Sequence, residues 1–78
     1  MGKKTRISNG VRTLRFMAGE MTQAELAKRI GVTRQTVIAI EQGRYSPSLE
    51  VAFQMAEVFG VPLEKVFQYA GSHDADSK

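Results

Sequence analysis

Four residues in the middle of the chain, Arg34, Gln35, Ile38 and Ala39, have the types and spacing of a reader of base pairs. Arginine can fork onto the two acceptors of guanine, glutamine can offer adenine a donor and an acceptor, and an apolar side chain can meet the thymine methyl. Ile38 either makes such a methyl contact or pads the surface, while the small Ala39 lets a helix come close to the bases. The four pair at intervals of four, so one helix would present them on one side. Gln23 ahead of them and Gln42 and Arg44 behind add hydrogen-bonding and basic groups at both ends. No other chemistry competes. The sequence shows no glycine motif to cradle a phosphate, no cluster of metal ligands and no nucleophile paired with a base. With no cysteine there is no thiolate and no disulfide. The sole histidine, His73, stands in a polar stretch where solvation is the expected state. Enzyme, metal protein and cofactor carrier are therefore not expected.

Two short helices must hold those residues, and residues 22–44 contain the signals for both. Thr22 is an N-cap type and Glu25 follows three places later, so each side chain can satisfy a free N–H of the other. Leu26, Ala27 and Ile30 recur at helical spacing. Gly31 can take the left-handed conformation that ends a helix, Val32 plugs the turn, and Thr33 is a second N-cap type. The next helix turns Val37, Ile40 and, one place on, Glu41 inward and stops near Gly43. Helices of this length are marginal alone, so the rest of the chain must brace the pair.

In this stretch the chain resembles the Cro and lambda-repressor type of helix-turn-helix regulator, the XRE-like family. The residues that carry the resemblance are Thr22, Gln23, Glu25, Leu26, Ala27, the run from Gly31 through Val37, Ile40, Glu41 and Gly43. The continuation Tyr45-Ser46-Pro47-Ser48-Leu49 is most similar to short stand-alone bacterial members, and the likeness covers residues 11–69. The resemblance implies an all-α, compact five-helix lambda-repressor-like domain, with the second helix crossing a DNA backbone and the third in the major groove. It places Gln23, Thr36, Gln42 and Arg44 on or near phosphates. It also implies a structural ion pair between Arg15, late in the first helix, and Glu41, late in the third. The partners implied are double-stranded DNA and a second copy of the chain.

Charge agrees with a polyanion partner. Residues 1–47 hold nine Lys and Arg against three acids, a net +6, whereas residues 48–78 hold two lysines against five acids, a net −3. A basic front and a mildly acidic back suggest one face turned to DNA and another kept from it. The longest apolar runs fall well short of the ~20 residues that a membrane span needs, and the first eight residues lack a signal-peptide core. A cytoplasmic protein is the expectation. Seventy-eight residues make one domain whose core rarely supplies more than ~3–5 kcal/mol, so association with a second copy would help.

The remaining segments follow from the same signals. Residues 1–7 read as a flexible basic N-terminal arm, 8–70 as the DNA-binding domain and 71–78 as a disordered polar tail. The first helix is expected from 8 or 9 to 17 or 18, with Ile7, Val11, Leu14 and Ala18 on its inner stripe. Ser46 or Ser48 can cap the fourth helix, with Leu49, Ala52, Phe53, Ala56 and Phe59 facing the core, and Gly60 ends it. A fifth helix is expected from Pro62 to about Tyr69, with Leu63, Val66 and Phe67 inward. The apolar surplus, Val51, Phe53, Val66 and Tyr69, could serve a dimer contact. Two functions stay open at this point. One is a dimeric repressor at a pseudo-palindromic operator; the other is an antitoxin that binds a toxin protein as well as its own promoter.

Overall fold

The computed structural model describes residues 6–69. Along the chain lie β1 (Ile7–Asn9), α1 (Val11–Met17), α2 (Gln23–Ile30), α3 (Arg34–Glu41), α4 (Leu49–Phe59), α5 (Leu63–Val66) and β2 (Phe67–Tyr69). Five helices make an all-α fold, to which one two-stranded ribbon is a small addition. The arm and the tail, apart from Arg6 and Ile7, lie outside the described residues, as does His73.

The helix starts are chemical. Thr22 accepts from the backbone N–H of Glu25 at 3.0 Å, and the Glu25 carboxylate accepts from that of Thr22 at 2.9 Å, a complete capping box. Thr33 caps α3 through the N–H of Thr36, and Ser48 caps α4 through that of Val51. Between α2 and α3, Gly31 adopts φ 74°, a left-handed state that costs a glycine nothing and a β-branched residue a great deal. The connection from α1 to α2 uses two left-handed residues in succession, Gly19 and the non-glycine Glu20. This double turn drops the Met21 side chain into the core and brings its backbone N–H to the Arg15 carbonyl.

Leu26, Ile30, Val37 and Ile40 meet across the helix pair, and Val11, Met55 and Val66 close the core from three other helices. Val37, Leu26, Met55 and Val66 are wholly shielded from solvent. The bracing that two short helices require therefore comes from both ends of the sequence.

Three expectations are corrected. The first helix begins at Val11, not at 8 or 9, because Ile7, Ser8 and Asn9 pair antiparallel with Tyr69, Gln68 and Phe67. Asn9 and Gly10 are poor helix residues, and the Asn9 side chain accepts the N–H of Val11 at 3.1 Å, which starts the helix there. The fifth helix ends at Val66, since Phe67 is already extended, and the alternating Phe67 and Tyr69 suit a strand. In α4 the buried residues are Ala52, Met55 and Ala56, whereas Leu49 and Phe53 are 70% and 56% exposed. A helix that is apolar nearly all round has no unique inward face in its pattern. The two alanines face inward and let α4 approach α2. Val66, counted among the surplus, is core.

Candidate nucleic-acid interface

The end of α1, the start of α2 and the outer side of α3 enclose an open cleft of about 610 Å³. Its walls carry Arg12 and Arg15 from α1, Gln23 from α2, and Arg34, Ile38 and Glu41 from α3, with Gln42 just beyond. Of these charges only Arg15 and Glu41 cancel. The Arg15 Nε donates to Glu41 Oε2 at 2.7 Å and its Nη2 to Oε1 at 3.2 Å. A third bond, from Nη1 to the Met21 carbonyl at 2.8 Å, pins the guanidinium to the α1–α2 turn. Both side chains are mostly buried, with 15% and 9% of their surface exposed. Two fork-to-fork bonds and a third donor satisfied by a carbonyl are what a charge pair needs to tolerate burial.

Among the described residues this is the only ion pair. Arg12 and Arg34 consequently reach the cleft as cations without a carboxylate, and both are exposed. The cleft thus has an excess of positive charge beside the N-terminus of α2, whose dipole also favours an anion.

The side chains named from sequence fall into two sets. Arg34, Ile38 and Gln42 form one row along α3 that borders the cleft. Gln35 and Ala39 form the neighbouring row, outside it, with Gln35 exposed and Ala39 half-buried. Together the rows make a continuous outward face opposite Val37 and Ile40. Thr36 is half-buried, and its hydroxyl lies 3.0 Å from that of Thr33, so the cap engages it. At the far end the Arg44 guanidinium donates to Gln42 Oε1 at 2.8 Å, which leaves the Gln42 amide nitrogen as its free donor end. Gln23 is not solitary either, because its Nε2 donates to Glu41 Oε1 at 3.2 Å.

Two residues that sequence reasoning left without a role matter here. One is Arg12, whose spacing does not announce that it shares a cleft with Arg34. Asn9 donates from Nδ2 to the Ile40 carbonyl at 2.8 Å. The Ile40 carbonyl also accepts the Gly43 N–H at 3.0 Å, so Asn9 supplies its second donor and fixes the end of α3 against β1. Its signal was an Asn-Gly pair, which marks a helix boundary as readily as a turn.

The charged cleft and the polar helix face belong to a recognisable family. A helix-turn-helix family model matches residues 12–66. An uncharacterized HTH-type transcriptional regulator of Methanocaldococcus jannaschii is 57% identical over 49 residues, which are 63% of this chain and 74% of that protein. The cryptic phage CTXphi transcriptional repressor RstR of Vibrio cholerae is 37% identical over 59 residues, 76% of this chain and 52% of its own length. The crystal structure of a hypothetical transcription factor, NHTF, from Neisseria superposes with a TM-score of 0.66 at 28% identity. That superposition covers 83% of this chain and 74% of that one. The matched region contains the helix pair and its caps, and the chain belongs to the helix-turn-helix family of transcriptional regulators, with a DNA-binding domain and not an enzyme's site.

Proposed function

We propose that the protein is a cytoplasmic, dimeric repressor that reads a pseudo-palindromic operator in the major groove through α3. The observation that carries this reading is the outward face of α3 beside a cleft holding two arginines without a carboxylate partner. In this reading Arg34, Gln35, Ile38 and Ala39 contact bases, and Gln23, Thr36, Gln42 and Arg44 contact phosphates. Arg12 joins the phosphate set from the cleft wall. RstR is named a repressor, which supports repression here as well.

The dimer rests on a second surface that shares no residue with the cleft. Exposed Leu49 shares a groove with Leu63 and Phe67, which border exposed Tyr69 in turn, and Phe53 stands exposed one turn along α4 from Leu49. Contiguous apolar surface of this kind marks an association site. A second copy of the chain can cover it, since a two-fold contact needs only one self-complementary patch. In this reading the dyad must set the two α3 helices to read half-sites about 34–36 Å apart, one turn of DNA.

Selection of bound duplexes from a random pool, at two salt concentrations, tests the reading. Enrichment of an inverted repeat, with affinity falling steeply as salt rises, is the expected result. Binding without enrichment would reduce the protein to a sequence-independent DNA binder and overturn the operator.

A further inference from the structure

The Arg15–Glu41 pair has a third member. Glu41 Oε2 is taken by Arg15 Nε at 2.7 Å, but Oε1 is shared between Arg15 Nη2 and Gln23 Nε2, each at 3.2 Å. A carboxylate can only accept, so the Gln23 amide must face it with nitrogen and not with oxygen. One side-chain hydrogen of Gln23 is thereby committed inward, and its second hydrogen remains as a donor at the cleft. We infer that Glu41 is a positioning residue for DNA binding: it orients the Gln23 amide so that the remaining N–H meets a backbone phosphate. This inference rests on the DNA-binding reading above and assigns Glu41 a role beyond holding helices together.

The physical case has three parts. A free glutamine side chain samples many rotamers, and an interface that must order it loses that freedom on binding. Tethered to Glu41, Gln23 is ordered during folding instead. A phosphate is also an acceptor only, so an amide turned the other way would oppose it with a lone pair. Lastly, a bare carboxylate at the wall of a phosphate-binding cleft would repel the ligand. The two bonds from Arg15 neutralise that charge where it stands, which lets an acid serve at an anion site. Gln23 and Glu41 both line the cleft, so the tether acts where the ligand would lie.

The test is a double-mutant cycle on affinity for the selected duplex, with thermal melting followed in parallel. Glu41→Gln should weaken binding roughly three- to tenfold in the otherwise native protein, the weight of one hydrogen bond. In a Gln23→Ala background the same change should cost less than about twofold, because the amide it orients is gone, whereas independent sites would add. Equal losses in both backgrounds would overturn the inference, leaving Glu41 a purely structural residue. Should Glu41→Gln not fold, Glu41→Asp keeps a charge opposite Arg15 but draws it back by one methylene, and enters the same cycle. Side-chain amide resonances of the free protein supply an independent reading. The Gln23 pair should be shifted and well dispersed, and should collapse to solvent values in the Glu41 variant. An unshifted Gln23 pair in the native protein overturns the tether whatever the DNA result. If the native protein binds no duplex at all, the DNA-binding reading fails with this role, and the amide spectrum still reports whether the tether exists.

Discussion

The two surfaces of the molecule are exposed in opposite ways. On the α1–α3 side the cleft is lined by polar and cationic groups, with Phe16 and Met17 exposed at the end of α1, and the Arg15–Glu41 pair is matched by the Met21 carbonyl on Arg15 and the Gln23 amide on Glu41. On the α4, α5 and ribbon side the exposed groups are Leu49, Phe53 and Tyr69, and Glu50 and Glu57 lie among them on α4. Polar exposure costs a monomer nothing. Apolar exposure gains only when something covers it. The first surface is finished in a single chain and waits for a ligand with the opposite charge, whereas the second is the one that the proposed dimer would cover. One core serves both, so damage to the core should erase the contrast and damage to either surface should leave the other intact.

The largest effect is therefore expected in the core. Leu26 is fully buried on α2 and touches neither surface. Leu26→Ala should lower stability by about 2–5 kcal/mol in denaturant unfolding, and with a core this small it should abolish association and DNA binding together. Retention of either in the unfolded fraction would mean that one region folds alone. Next comes Arg15. Arg15→Ala leaves Glu41 buried without its cation and should cost about 3 kcal/mol or more, whereas Arg12→Ala, at an exposed site, should stay within about 0.5 kcal/mol. Equal melting shifts for the two variants would refute the division of labour between a structural arginine and a phosphate-facing one.

Within the DNA-facing surface the contrast can be sharpened further. Arg34→Ala should relax discrimination at its base position by roughly 1–3 kcal/mol. Arg44→Ala should weaken all duplexes alike and reduce the salt slope by about one. If Arg34→Ala kept full sequence preference in a repeated selection, its place on a base would be lost, and a phosphate role beside Arg12 would take over.

These surfaces were unequally legible in the sequence. Helix starts at Thr22 and Thr33 are local chemistry, decided within four residues, and they stand where their spacing put them, while of the two serines open to α4 it is Ser48 that caps. The family likeness runs over the same segment. The ribbon is different, because Ile7 and Tyr69 are paired across 62 positions and three residues carry too little pattern to announce a strand. The side chosen by α4 was equally hidden. Its composition allows several inward faces, and only packing against α2 decides that Ala52, Met55 and Ala56 go in and that Leu49 and Phe53 stay out. At the cleft, residue types were readable and their grouping was not. Arg12 is 22 positions from Arg34 along the chain and shares the cleft with it because the fold brings α1 to α3 at the Arg15–Glu41 pair.

The smallest effect on stability should come from the apolar surface, and there it is most informative. Leu49 is the first residue of α4, is 70% exposed and takes no part in the Ser48 cap beyond following it. Leu49→Lys should therefore change the melting of the isolated monomer by no more than about 0.5 kcal/mol. In a dimer the same change sets two like charges against each other across the dyad, where burial makes them costly. Sedimentation at matched concentrations should show the variant as a monomer where the native chain is a dimer. Its grip on a full inverted repeat should fall to that of a half-site, while base preference within the half-site stays unchanged, because Arg34 and Gln35 lie on the other surface. A variant that stays dimeric would move the dyad off α4, and one that loses half-site preference as well would show that the two surfaces are not independent.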